Sequence, residues 1–112
     1  MALDLRLQRD KAGKNTFGLE FSDLKFNTTL LNGVEQTLTV PGPESKYLMI
    51  FSIQPGSQVW IAKNATAAIP GAAFAQTDSE LNPVARNVKG GDVIHFITNN
   101  TDATVGVILY AI

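Results

Sequence analysis

The chain contains no cysteine and one histidine, and only 17% of its residues are charged. Without cysteine there is no disulfide, no thiolate nucleophile and no Cys-based zinc site. Such a chain suits a reducing compartment such as the cytoplasm, where disulfides are rare anyway. A lone histidine excludes the metal centres that need two or three imidazoles. The formal net charge of -1 leaves no global basic field to attract nucleic acid. Long apolar runs are missing too. None approaches the roughly 18 residues of a membrane span. The opening residues, 1–14, lack the apolar core of about 7–15 residues that a secretory signal requires. Asn27-Thr28-Thr29, Asn64-Ala65-Thr66 and Asn99-Asn100-Thr101 match glycosylation sequons. In a chain read as non-secreted they are turn chemistry. Capped segments with a period near 3.6 are also missing, which argues against helices.

What is present is β-type patterning with regular punctuation. At the end of the chain, Gly90-Gly91-Asp92 signals a turn, Val93–Thr98 is an apolar run with β-branched residues, and Thr104–Ile112 is a second such run. The Asn99–Asp102 connection between them predicts a β-hairpin, with the C-terminus paired into a sheet. Further upstream, 34–40, 47–53, 58–63 and 84–88 read as strands separated by Pro41-Gly42-Pro43, Pro55-Gly56 and a long Ala/Gly/Pro-containing section, 64–83, anchored by Phe74. Residues 47–53 are nearly continuously apolar, as in a strand buried on both faces. Short strands at spacings of about 8–12 residues predict an all-β fold, an antiparallel β-sandwich or jelly roll.

The first third is different. Leu3, Leu5 and Leu7 alternate with polar residues, a polar stretch follows from Arg9 to Asn15, and Phe17, Leu19 and Phe21 alternate again. This divides the chain into an N-terminal arm or edge strand, 1–16, and a single sandwich domain, 17–112. The segment 1–14 carries a local net charge of +2. Such an arm can add a strand to a partner's sheet, and it can equally be an ordinary first strand. Leu3, Leu5, Arg6, Leu7 and Arg9 are its candidate contact residues.

Catalytic chemistry finds little support. His95 is best read as a strand histidine. None of Ser22, Ser45, Ser52, Ser57 and Ser79 lies in a Gly-x-Ser-x-Gly elbow that would pair it with His95 in a triad. Asp78 and Glu80 are two apart, the spacing of one strand face, yet Thr77–Pro83 reads as turn capping. Gly90-Gly91 lacks the Lys-Ser/Thr and the helix of a phosphate loop. No cofactor or metal is expected. Trp60 alternates with Val59 and Ile61, so it faces away from them, toward solvent, a ligand or a neighbouring subunit.

Ser57–Ala67, Ser79–Pro83 and Lys89–Ile94 resemble the capsid decoration, or stapling, proteins of short-tailed bacteriophages of the epsilon15 type. The resemblance spans about two thirds of the chain, from Tyr47 to Ile112. It implies a jelly-roll or sandwich protein on the outer capsid surface of a virion, made in the host cytoplasm. Such a protein clamps neighbouring major capsid subunits, self-associates at a symmetry axis and helps the shell withstand DNA pressure. Neither nucleic acid nor membrane would be bound directly. The expected contacts are the arm residues with Trp60 as a surface anchor. A carbohydrate-binding module that stacks a sugar on Trp60 is the alternative expectation.

Overall fold

A computed structural model describes residues 3–5, 9, 11–14 and 18–112. Eight strands follow one another: β1 Lys25–Leu31, β2 Gln36–Thr39, β3 Tyr47–Ile53, β4 Val59–Lys63, β5 Ser79–Leu81, β6 Ala85–Val88, β7 Val93–Thr98 and β8 Asp102–Ala111. They form two antiparallel four-stranded sheets, ordered β1-β8-β3-β6 and β2-β7-β4-β5. The pairs β1·β8, β2·β7, β3·β6 and β4·β5 make one long hairpin rolled over on itself. That is the wrapping of a double-sheet jelly roll, as the strand pattern predicts.

The alternation rule explains the core. Met49, Phe51, Val105, Val107 and Leu109 line the inner face of the first sheet, and Val59, Ile61, Ile94 and Phe96 line that of the second. Across the gap, the Phe51 and Phe96 rings meet edge to face at 6.3 Å. Strand β8 is the centre of the molecule. It pairs with β1 and β3 on its two sides, and Ala103, Val105, Gly106, Val107, Leu109, Tyr110 and Ala111 are all buried.

Three expectations are corrected. The predicted terminal hairpin does not form, because β7 pairs with β2 and β4 while β8 pairs with β1 and β3. The 99–101 turn is a corner between sheets. A two-residue I′ or II′ hairpin turn needs positive φ, and none of these residues has it. Instead Asn100 accepts the Gln58 N–H at 2.8 Å, and the Thr98 hydroxyl donates to the Gln58 carbonyl at 2.7 Å. The turn's polar groups thus tie two corners together. Secondly, 64–83 is not wholly loop, since Ser79–Leu81 pairs with β4. Thirdly, Phe74 is not a buried anchor but fully exposed.

The opposite end is closed by the Pro41-Gly42-Pro43 turn. Gly42 sits at φ 88, directly against the Tyr47 hydroxyl, where a Cβ would collide.

Candidate functional site

His95 projects from the outer face of the second sheet, since its neighbours Ile94 and Phe96 point into the core. Its Nδ1 lies 3.1 Å from Glu35 Oε1. An ionised carboxylate only accepts, so Nδ1 is the donor. Glu35 Oε2 accepts the Ala67 N–H at 2.8 Å. His95, above all, holds the Glu35 carboxyl below the usual carboxylate range, and the Ala67 amide acts with it against desolvation. The result is a clamp between β7 and the segment that follows β4. Asn64, at φ 58, turns that segment back over the sheet, and the Ala68 N–H donates to the Ser79 hydroxyl at 3.0 Å. None of the serines hydrogen-bonds His95. Among the described residues no group of three or more His, Asp or Glu is placed to hold a metal ion.

Of the two carboxylates Asp78 and Glu80, Glu80 is held in an ion pair. Glu80 reaches from β5 across the open edge of the sandwich to Arg86 on β6, with Nη2 to Oε1 at 2.7 Å and Nε at 3.1 Å from both oxygens. This fork lowers the Glu80 pKa and raises that of Arg86. Behind it lies a cleft of about 310 Å³, lined by Phe51, Ile61, Pro83, Val88 and Ile94, with Lys63 and Asp78 at its margin. The other open edge, between β1 and β2, is clasped more simply by the Thr28 hydroxyl donating to Gln36 at 2.7 Å.

Trp60 lies on the outer face, as alternation predicts, opposite Ile97 and Leu81 in the ladder. It is nevertheless only 7% exposed and offers no open ring face. In the arm, the Ala111 N–H donates to the Leu3 carbonyl and the Leu5 N–H to the Ala111 carbonyl, both at 2.7 Å. Leu3 and Leu5 are half-buried there, folded back against the C-terminal strand. Arg9 is exposed and donates to the Gly13 carbonyl. Arg6 and Leu7 lie outside the described residues.

Besides Leu81 at the end of β5 and Ile112 after β8, the large apolar residues that remain exposed fall into three groups. Leu31, Val34 and Val84 sit on the corners β1–β2 and β5–β6, at one end of the sandwich. That end is cross-tied by Gly33 to Thr98, Gln58 to Asn100 and Asn82 to Ser57 and Val59. Leu19 and Phe21 lie by the first sheet, where the Tyr110 hydroxyl donates to the Glu20 carbonyl and Lys25 stands 5.7 Å from the Phe21 ring centre. Ile69 and Phe74 occupy the β4–β5 loop, which has no charged residue between Lys63 and Asp78. Among the described residues, 69–76 make no hydrogen bond. Sequence reasoning missed this loop as a surface element, although its lack of charge was visible. Glu35 carried no local signal, because its partners are 60 and 32 residues away.

Searches against protein-family models, curated proteins and solved structures found no match. No helix among the described residues is long and apolar enough to cross a membrane.

Proposed function

We propose that this chain is a non-enzymatic structural protein that binds the outside of an assembled phage capsid, staples neighbouring major capsid subunits and self-associates at a symmetry axis. The observation that carries this reading is the distribution of exposed apolar side chains. They lie on different sides of one cross-tied sandwich: Leu31, Val34 and Val84 at one end, Leu19 and Phe21 by one sheet, Ile69 and Phe74 in the loop by the other, with Leu81 and Ile112 at strand ends. A staple needs at least two contact surfaces held at a fixed separation, and a single-ligand protein needs one concave site. Binding to the assembled lattice in preference to free subunits stabilises the lattice by mass action. The glycan alternative has less support, because Trp60 is buried and presents no stacking platform.

The test is co-sedimentation with assembled shells and, separately, with unassembled subunits. Selective binding to shells, weakened at least tenfold by Val34→Asp with Val84→Asp, is expected. Deleting 1–14 is expected to weaken shell binding if the arm contributes. Equal binding to free subunits, or none to either form, would refute the proposal. So would retention on immobilised glycans without shell binding.

A further inference from the structure

The β4–β5 loop springs from the margin of the β5–β6 cleft. Phe74 is a fully exposed aromatic side chain in an uncharged loop. Leaving a whole phenyl ring in water forgoes about 1.5–3 kcal/mol of burial that a contact would recover. The cleft between β5 and β6 has an apolar floor of Phe51, Ile61, Val88 and Ile94 and a volume of about 310 Å³. Its margin includes Lys63 and Asp78, the two roots of the loop that carries Phe74. Projection and recess therefore belong to one surface patch.

We propose that this patch pairs with the same patch on a second copy of the chain, each Phe74 entering the other's β5–β6 cleft. The adjacency of projection and recess is what a closed two-fold contact requires, because an isologous interface uses one self-complementary surface. Charge agrees with this. The margin holds two cations, Lys63 and Arg86, and two anions, Asp78 and Glu80. Glu80 and Arg86 already pair within each copy, so a two-fold axis can set Lys63 of each copy against Asp78 of the other. The area is sufficient as well. Two phenyl side chains bury about 300–500 Å², and a stable contact needs about 1,200 Å². The exposed stretch 68–77 on both copies is there to supply the difference. The inference deepens the self-association in the proposed function by naming its surface. It needs no capsid, so the two can fail separately.

The experiment is sedimentation equilibrium of the full chain over a concentration series, with Phe74→Ala and Glu80→Trp alongside. Glu80→Trp fills the cleft from an exposed position. Wild type should move from one to two chain masses, and each variant should raise the dissociation constant at least tenfold. At concentrations well below the wild-type dissociation constant, Phe74→Ala should keep the wild-type melting temperature, because the side chain is fully exposed in the monomer. Mixing the two variants should restore partial pairing, since one intact Phe74 then meets one open cleft. A wild type that stays monomeric throughout overturns the proposal, and this is the result expected if Phe74 enters its own cleft or serves a foreign partner. Variants that dimerise like wild type overturn it equally.

Discussion

Asp92 offers the sharpest test of how the loop region is held. Its side chain is buried. Oδ2 accepts the Lys89 N–H at 3.0 Å, and Oδ1 accepts the Asn64 side-chain amide at 3.1 Å. Asn64 in turn accepts the Val93 N–H at 2.8 Å and donates its own N–H to the Val93 carbonyl at 2.7 Å. One carboxylate thus fixes the β6–β7 turn and the root of the β4–β5 loop. Hydrogen bonds to a charged group contribute about 1.5–3 kcal/mol each. Asn64 is exposed, so water replaces much of its share. Asp92→Ala should therefore cost about 2–3 kcal/mol, or about 8–12 °C in Tm for a domain of this size. Asp92→Asn should cost nearly as much, because its NH2 group must face one of the two donors. Burial works to raise the Asp92 pKa, and the Lys89 and Asn64 hydrogen bonds with the Lys63 and Lys89 charges outweigh it, so the folded value is lowered. A lowered carboxylate pKa stabilises fully above the unfolded value of about 3.9 and loses its effect as pH falls through the folded value. The gap between wild type and Asp92→Asn in urea melts should be flat near neutrality and should narrow in acid. A loss below about 0.5 kcal/mol for Asp92→Ala, or a gap that widens in acid, would refute this account.

Two further outcomes follow from β8. Leu109→Ala removes a fully buried side chain from the central strand and should destabilise by about 2–5 kcal/mol in urea unfolding. Tyr110→Phe removes the hydroxyl that donates to Glu20 and should cost about 1 kcal/mol. Its signature is earlier proteolysis or hydrogen exchange around residues 18–24 than in β7.

Strand identity was largely visible in the sequence, and strand partnership was not. Tyr47–Ile53 and Val93–Thr98 fall where apolar runs lie between turn signals, since side-chain patterning is local. The terminal hairpin failed because its signal is also local, while a jelly roll sends consecutive strands to opposite sheets and closes them over the whole chain length. Strand β5 was missed because Ser79–Leu81 is short and has no apolar run of its own. For Trp60 the predicted face was correct. Its burial was not readable, because alternation says which way a side chain points and not what covers it.

The edges of the sandwich bear on how it meets other proteins. Edge strands invite pairing when they are long and flat. Here the edge strands β2, β5 and β6 have four, three and four residues, whereas the fourth edge, β1, has seven. The three short edges offer a partner few backbone hydrogen bonds, and β1 is the one edge among the described strands long enough for strand addition. The arm is the other route to strand addition, and Leu3 and Leu5 already pair with Ala111 through two backbone hydrogen bonds. A partner that captures the arm must first break them, at about 1–3 kcal/mol together, which weakens capture by about 5- to 150-fold. Side chains on corners and loops face no such competition. Exposed apolar side chains are therefore a second available surface beside the β1 edge, and Phe74, fully exposed, gives up no burial when a partner covers it.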